Sequence, residues 1–439
     1  MHTWEMEYER KKTTAEDAVR LIKSGDKVVF THAGSEPMEL VDAMVRNANS
    51  YRDVTISNLV TLGKGEYSKP EYKDCFKINS WFVSPCVRQS IADGYGDFTP
   101  VFFHEVPYYI RKGIFEIDVC LAMVSTPDEH GYCSLGVASD YSIQAIKSAK
   151  TVIAQINDQM PVVYGETFVH ISEFDAIVEA SAPIPEMTIP EIGETELAIG
   201  RHCASLVEDG STLQLGIGAI PDAVLASLKD KKDLGIHSEM ISDGVVDLVE
   251  AGVINNSKKT LNPGKSIVTF LMGTKKLYDF ADRNPGLEMR TVDYVNHPMV
   301  IAQNNNRVCI NSALAVDFMG QIVSDSIGTK QFSGVGGQVD FMRGAAMTLD
   351  DQGKGIIAMP SVAKTRDGRM ISKITPFIDH GAAVTTSRQD ADYVVTEYGI
   401  AKLKGKTLKQ RARNLINIAH PQFRDELAAE FERRFLTTF

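Results

Sequence analysis

Short apolar runs alternate with helical stretches along most of the chain. In the first half the runs cover 27–30, 54–56, 117–124 and 151–156, and one helical stretch covers 141–148. Strands that are apolar on both faces and separated by helices are typical of a largely parallel sheet that is covered on both sides. The pattern therefore predicts the α/β class with open, largely parallel sheets.

The second half continues this alternation and adds a charged C-terminal stretch. Its predicted strands cover 266–271, 299–301, 308–310, 355–359 and 393–396. One helix is predicted from about Leu408 to Phe435, with an inner stripe formed by Leu427, Ala428, Phe431 and Phe435.

One pattern of strand, glycine-containing turn and helix occurs twice, about 184 residues apart. The stretch 206–215 corresponds to 21–30, and Gly218–Pro221 corresponds to Gly34–Pro37. Two similar domains from an internal duplication are therefore predicted, with the active site between them. The proline-containing and acidic stretch 181–195 is the predicted linker, which gives domains 1–190 and 191–439.

Composition narrows the class of protein. Of the 439 residues, 44% are hydrophobic and 23% are charged, which is ordinary for a globular enzyme, and no apolar run reaches transmembrane length. We expect a cytoplasmic protein because the N-terminus lacks a secretory pattern. A net charge of −11 argues against binding to nucleic acid or to an anionic membrane. The six cysteines lie far apart, so neither a metal site nor a disulfide framework is predicted.

The stretch 235–244 places Glu239 where a strand end opens into a loop. In α/β proteins reactive side chains gather at such loops, because the sheet holds the backbone still. The alternative is a solvated loop carboxylate, which is what most glutamates are.

Two glycine-rich turns could bind an anionic ligand. The turn at Gly216 and Gly218 follows a strand and opens a helix, so it predicts either an anion cradle or a tight structural turn. It departs from a nicotinamide fingerprint because Pro221 replaces the third glycine. The second turn, 334–337, has three glycines in four positions, which allows backbone amides to approach a ligand closely. A flexible linker is the alternative for this second turn.

These motifs together resemble the acetyl-CoA hydrolase/transferase family of class I CoA-transferases. The resemblance covers essentially the whole chain, and within the family it is strongest to enzymes that act on 4-hydroxybutyrate. The stretches that carry it are Gly216–Pro221, His237–Met240, Asn296–Pro298, Asn311–Leu314 and Gly334–Asp340, with Leu62–Tyr67, Phe103–Pro107 and Asp317–Gln321 in addition.

The resemblance implies transfer of CoA between a short-chain acyl-CoA, such as acetyl-CoA or butyryl-CoA, and a carboxylate such as 4-hydroxybutyrate. It implies a ping-pong mechanism in which Glu239 is the nucleophile and forms a glutamyl-CoA thioester, as in fermentation enzymes of this kind. Exchange between butyryl-CoA and acetate, and hydrolysis with water as acceptor, are the alternatives. The implied CoA-binding residues are Gly216, Ile217, Gly218, Ala219, Ile220, Asn296, Leu314, Gly336 and Gly337.

The same resemblance implies no metal and no permanently bound cofactor, with coenzyme A entering as part of the substrate. The protein is expected to be a homo-oligomer, either a dimer or a tetramer. Candidates for the acid pocket lie in the N-terminal half, at His32, Tyr67, Gln89 and the stretch 105–109. A dinucleotide-binding oxidoreductase and a non-catalytic acyl-CoA-binding module are competing hypotheses.

Overall fold

A computed structural model of the chain describes residues 3–187, 191–365 and 367–439 and divides into two compact units. The first unit comprises Met1–Met187 and Ile267–Val295, and the second comprises Thr188–Ser266 and Asn296–Phe439. Part of the predicted linker, 188–190, lies outside the described residues.

The described residues form 15 α-helices and 26 strands. The helices are α1 (Thr3–Lys11), α2 (Ala15–Ala18), α3 (Met38–Arg46), α4 (Arg88–Ala92), α5 (Val106–Arg111), α6 (Ser142–Ser148), α7 (Glu194–Ala204), α8 (Ala219–Ala226), α9 (Asp243–Glu250), α10 (Lys275–Ala281), α11 (Val292–Val295), α12 (Pro298–Ile301), α13 (Gln338–Ala346), α14 (Leu408–Asn417) and α15 (Pro421–Phe435). The strands are β1 (Lys27–Phe30), β2 (Val54–Ser57), β3 (Phe76–Ser80), β4 (Gly96–Phe98), β5 (Val119–Val124), β6 (Tyr132–Ser134), β7 (Thr151–Ile156), β8 (Phe168–His170), β9 (Ala176–Glu179), β10 (Thr212–Leu215), β11 (Gly235–Ile236), β12 (Met240–Ile241), β13 (Ser266–Val268), β14 (Phe270–Leu271), β15 (Leu287–Met289), β16 (Arg307–Asn311), β17 (Ala315–Asp317), β18 (Ile322–Val323), β19 (Ser326–Ile327), β20 (Lys330–Gln331), β21 (Lys354–Ala358), β22 (Val362–Lys364), β23 (Met370–Ser372), β24 (Ile374–Thr375), β25 (Tyr393–Thr396) and β26 (Gly399–Lys402).

The first unit is built on a seven-stranded parallel sheet. Its strand order is β4-β3-β2-β1-β5-β7-β9, and every neighbouring pair is parallel. All six residues of β5 are buried, which explains why that strand has an uninterrupted apolar sequence. The predicted strands of the first half are confirmed, and the helix after β1 starts at Met38, directly after Pro37.

The second unit is built on a six-stranded sheet with the order β11-β10-β16-β21-β25-β26. The first five strands run parallel, and only β26 at the edge is antiparallel. The carboxyl ends of β11, β10 and β16 therefore lie side by side at the carboxyl-terminal end of the sheet. From there β11 leads to Glu239, β10 leads to the turn at 216–218, and β16 leads to Leu314. The predicted α/β class with largely parallel sheets is confirmed.

The segment 267–295, assigned to the second domain from the sequence, groups with the first unit. The Leu271 N–H donates to the Val137 carbonyl at 2.8 Å, and the Ser139 N–H donates to the Thr269 carbonyl at 3.1 Å. These backbone bonds join segments more than 100 residues apart along the chain, so local patterning cannot reveal them. The single predicted strand over 266–271 is two short strands, β13 and β14.

Two other predictions of secondary structure are wrong. The apolar run 299–301 lies in the short helix α12, where Pro298 occupies the first turn and the His297 ring accepts the Met299 N–H. The single helix predicted from Leu408 to Phe435 is two helices, because Pro421 cannot continue a helix and starts α15 instead. Leu427 and Phe431 of the predicted inner stripe are buried, whereas Ala428 and Phe435 are half-buried.

A buried carboxyl group, Glu36, follows β1 in the first unit. One of its oxygens accepts the N–H groups of Leu62 and Gly63, at 3.0 and 2.8 Å, and the Thr61 hydroxyl. Burial is the largest influence and raises the pKa of Glu36, against the lowering effect of these hydrogen bonds.

Replacing Glu36 with glutamine is expected to stabilise the protein increasingly as the pH rises from about 4. With the folded-state pKa raised, the unfolded chain ionises first, so wild-type stability is lost as the pH climbs from the unfolded pKa through the folded pKa. Glutamine keeps an acceptor oxygen without the charge. The measurement is the apparent Tm of both proteins between pH 4 and 8, with exposed Glu71→Gln as control. A Tm difference that is independent of pH would contradict the expectation.

Candidate active site

The Glu239 carboxylate lies in the loop directly after β11 and is half-buried. Its Oε2 accepts a hydrogen bond from the Asn296 Nδ2 amide at 2.6 Å. The Asn296 side chain is fully buried, so the donor is held by packing. A charge-assisted bond to this buried amide restrains the carboxylate.

The backbone of Gly337 passes against the same carboxylate. A Cβ atom at this position would lie 2.0 Å from Glu239 Oε2 and 2.4 Å from Asn296 Nδ2. Only glycine permits this approach, since both distances are far below van der Waals contact. Gly337 is also the N-cap of α13, and the partial positive charge of a helix N-terminus favours an anion there. Glu239, Asn296 and Gly337 thus form one contiguous group.

The glycine-rich turn 334–337 is an ordered part of the second unit. The Asp325 carbonyl accepts the N–H groups of Phe332 and Ser333, at 2.8 and 3.1 Å, and the Gln331 amide donates to the Ser333 carbonyl at 2.8 Å. Gly336 has a φ of +52°, a conformation that favours glycine. These bonds fix the segment before the turn, and on its other side the Gln338 N–H donates to the Val335 carbonyl at 3.2 Å where α13 begins, so the turn joins two structured segments, which argues against a flexible linker.

The turn at 216–218 joins β10 to α8. Gly218 caps the helix with a φ of +111°, and a Cβ at either Gly216 or Gly218 would have nothing within 4 Å. The turn therefore has open space above its backbone, as a ligand-binding turn needs, and residues 216–220 are half-buried. The Ser238 hydroxyl donates to the Leu215 carbonyl at 3.2 Å, which ties this turn to the Glu239 loop.

Leu314 lies beyond the end of β16 and is half-buried. Its N–H donates to the Val323 carbonyl at 2.8 Å, so its backbone position is fixed. The structure thus brings Glu239, Asn296 and Gly337 into contact. It places residues 216–220 and Leu314 at the carboxyl-terminal end of the sheet, where the Glu239 loop also begins.

Three polar side chains behind the Glu239 loop were missed from the sequence. Asn256 and Lys259 contact the backbone of Ile236, and Arg307 donates to the His237 carbonyl. Arg307 is fully buried, and that burial lowers its pKa from the ordinary arginine value. In the sequence, Arg307 could be noticed only as a charged residue directly before the apolar run 308–310.

The predicted acid-pocket residues of the N-terminal half have different environments in the first unit. His32 is buried, and its Nδ1 lies 2.9 Å from an oxygen of Asp140. Tyr67 is also buried, and burial raises its pKa, with the nearby Glu36 adding to the effect. The Gln89 amide instead bonds Asp93 at the surface at 2.8 Å, and Tyr109 bonds Glu105 at 3.3 Å.

Neither a metal site nor a membrane span emerges from the described part of the chain. Within residues 3–187, 191–365 and 367–439, no three His, Cys, Asp or Glu side chains group in a way that could hold a metal ion. Over the same residues no helix is both long and apolar enough to cross a bilayer.

Comparison with known proteins assigns the chain to a family. The acetyl-CoA hydrolase/transferase N-terminal domain model matches residues 1–189, and the C-terminal domain model matches 273–431. The 4-hydroxybutyrate coenzyme A transferase of Clostridium kluyveri is 58% identical, over 98% of this chain and 100% of that protein. The succinyl-CoA:cyclohexane-1-carboxylate CoA transferase of Geobacter metallireducens is 46% identical, over 98% and 97%.

A solved structure gives the same result. The crystal structure of 4-hydroxybutyrate CoA-transferase from Porphyromonas gingivalis superposes with a TM-score of 0.84 at 42% identity, over 99% of this chain and 100% of that one. The chain therefore belongs to the acetyl-CoA hydrolase/transferase family and is a CoA-transferase.

Proposed function

We propose that this enzyme exchanges CoA between a short-chain acyl-CoA and 4-hydroxybutyrate, through a ping-pong mechanism with a glutamyl-CoA thioester on Glu239. The observation that carries the proposal is the Glu239 carboxylate, which the Asn296 amide holds at 2.6 Å against the backbone of Gly337. A solvated loop carboxylate would have neither a buried amide donor nor a neighbouring backbone that can approach it only because the residue there is glycine.

In the first half-reaction a Glu239 oxygen attacks the carbonyl carbon of the acyl-CoA thioester. The C–S bond breaks, which yields a mixed anhydride and the CoA thiolate. The thiolate then attacks the glutamyl Cδ of the anhydride and releases the first acid as a carboxylate. The products of this half-reaction are a glutamyl-CoA thioester and the free acid.

In the second half-reaction the incoming carboxylate attacks the glutamyl-CoA carbonyl and displaces the thiolate. The thiolate attacks the acyl carbon of the new anhydride, which forms the product acyl-CoA and restores the Glu239 carboxylate. No proton is gained or lost overall. A carboxylate is a weak nucleophile, so the rate depends on positioning and on stabilised oxyanions.

Asn296 and Gly337 are suited to stabilise the oxyanions that form on the glutamyl carbonyl. In the resting enzyme the Asn296 amide already bonds Glu239 Oε2, the oxygen that would carry this charge. Loss of one such donor typically costs about 3–4 kcal/mol of transition-state stabilisation. We assign a backbone N–H of Gly336 or Gly337, in the turn 334–337, as the second donor to the oxyanion.

The turn at 216–220 and Leu314 would contact the CoA moiety. The open space above Gly216 and Gly218 supports this assignment, since an extended ligand can lie across the turn. CoA binding far from the reacting bond can supply energy that is used at the transition state. CoA arrives as substrate, and the proposed chemistry uses no other cofactor.

The choice of 4-hydroxybutyrate rests on the similarity to the Clostridium and Porphyromonas proteins. A panel of carboxylates offered with one acyl-CoA donor would test it, and 4-hydroxybutyrate should give the highest kcat/KM. Full-rate release of CoA without any carboxylate would instead indicate a hydrolase. A cytoplasmic dimer or tetramer is the form in which we expect the enzyme to act.

Trapping the intermediate tests the mechanism directly. Incubation with an acyl-CoA and no acceptor, followed by trypsin and mass spectrometry, should give a CoA-modified peptide that contains Glu239. Incubation with CoA and a carboxylate without a thioester is the matched control, because no activated acyl group is then available. Normal turnover with an unmodified Glu239 peptide would overturn the mechanism.

A further inference from the structure

The strand that leads to Glu239 is very short and lies at the edge of its sheet. β11 contains only Gly235 and Ile236, and it has a neighbouring strand, β10, on one side. On that side the Gly235 and His237 N–H groups donate to the carbonyls of Ser211 and Leu213, at 2.9 and 3.2 Å. In a parallel strand the backbone groups of the intervening residue point the other way, which is toward the open edge.

Two buried side chains form hydrogen bonds with the Ile236 backbone groups on the open edge, where another strand would otherwise bind. The Ile236 N–H donates to Asn256 Oδ1 at 2.9 Å, and the Ile236 carbonyl accepts from Lys259 Nζ at 2.7 Å. Lys259 and Asn256 are each only 5% exposed. An amide acceptor and an ammonium donor thus mimic the two backbone bonds that a neighbouring strand would make.

The same side chains connect the edge to the loop that follows it. Lys259 Nζ also donates to the Lys265 carbonyl at 2.6 Å, and Asn256 Nδ2 donates to the Ser266 hydroxyl at 3.1 Å. Asn256 has a φ of +59°, a left-handed conformation that asparagine tolerates better than most residues. These hydrogen bonds hold the loop 256–266 against the open edge of β11.

The backbone of β11 is shaped to receive the lysine. A Cβ on Gly235 would lie 2.5 Å from Lys259 Cγ and 2.8 Å from its Cδ, so the aliphatic stem occupies the space that a side chain would need. Burying an ammonium is costly unless it is hydrogen-bonded. An apolar residue could fill the same space but could not donate to the carbonyls of Ile236 and Lys265, so the ammonium serves these bonds and not packing.

We propose that Lys259, together with Asn256, is a positioning residue for the Glu239 nucleophile. Ile236 lies three residues before Glu239, and the fixed Ile236 backbone sets where the Glu239 loop begins. Displacement of the reacting carboxylate by about 1 Å from Asn296 and Gly337 would cost roughly 100-fold in rate. The proposal rests on the proposed function of Glu239 and adds the means by which the fold holds it.

The test compares Lys259→Met with Lys258→Met, since Lys258 is the adjacent, exposed lysine. Methionine keeps an unbranched stem over Gly235 and removes the ammonium. The expected result for Lys259→Met is a kcat at least about tenfold lower, with the KM for acyl-CoA nearly unchanged and slower formation of the Glu239–CoA adduct. Lys258→Met should match the wild type in all three measurements.

Rates are expressed per folded molecule, from circular dichroism and size-exclusion chromatography of each variant. A rate per folded molecule equal to that of the wild type would overturn the proposal, because the lysine would then contribute only stability. If Lys259→Met does not fold, Asn256→Gly provides the test. This variant keeps the left-handed backbone but removes the acceptor for the Ile236 N–H, and an unchanged kcat in it would likewise overturn the proposal.

The two proposals fail in different ways. A wild-type enzyme that forms no adduct on Glu239 contradicts the covalent mechanism. A wild-type enzyme that forms the adduct, with Lys259→Met forming it equally fast, contradicts the positioning role and leaves the mechanism intact.

Discussion

Replacement of Glu239 by glutamine is expected to lower the rate of CoA transfer by roughly 10⁴-fold or more, as loss of a covalent nucleophile does in other enzymes. Glutamine has nearly the same size, and its oxygen can still accept the Asn296 amide that now bonds Oε2. The amide nitrogen cannot attack a thioester at a useful rate. The change therefore removes the chemistry while it preserves the shape of the site.

The measurement is steady-state transfer from acyl-CoA to a carboxylate, paired with acyl-CoA binding by calorimetry. Binding should persist in Glu239→Gln, because the assigned CoA contacts lie in other residues. Glu426→Gln, a surface change on α15, is the matched control and should be fully active. Turnover of Glu239→Gln within a factor of ten of the wild type would exclude the covalent route.

The second large effect is expected at Gly337. An alanine there would place its Cβ 2.0 Å from Glu239 Oε2 and 2.4 Å from Asn296 Nδ2, so the carboxylate and its donor must separate. We expect about 100-fold lower kcat, the scale on which a displacement of 1 Å reduces catalysis. The backbone itself is not strained by alanine, because Gly337 has a φ of −96°. Apparent Tm should therefore change little while activity falls.

Gly286→Ala is a suitable control for Gly337→Ala. A Cβ at Gly286 meets only the Asn284 side-chain oxygen at 3.2 Å, so this variant shares the backbone effect of the substitution without touching the site. Parallel kcat, KM and Tm measurements would separate the two. An active Gly337→Ala enzyme would show that the close approach of this turn to Glu239 has no catalytic role.

Features encoded locally were predicted well. The strands at 27–30 and 151–156 have the predicted bounds, because a strand buried on both faces needs a short uninterrupted apolar sequence. Either Thr13 or Thr14 is expected to cap the helix that precedes the first strand, and in α2 it is the Thr14 hydroxyl that accepts the Asp17 N–H. The position of Glu239 just beyond a strand was also evident, since glycines bracket that loop.

Ambiguous local signals gave the errors. The run 299–301 is too short to show a period, so its apolar residues predict a strand as readily as a helix. The helix predicted from Leu408 to Phe435 is interrupted before Pro421, although apolar residues continue on either side of the break. In both cases a proline decided the outcome through its missing N–H and its fixed φ.

The sequence alone indicated the class of fold, the family and Glu239 as the proposed nucleophile, because periodicity and motifs are read within a few residues. The tertiary structure decided which groups meet that nucleophile. Asn296 reaches Glu239 from 57 residues away, the Gly337 backbone lies against Glu239 from another segment, and the Lys259 ammonium bonds the Ile236 carbonyl in the preceding strand β11. Such contacts depend on how the whole chain packs, and a hydrogen bond between distant residues leaves no local pattern.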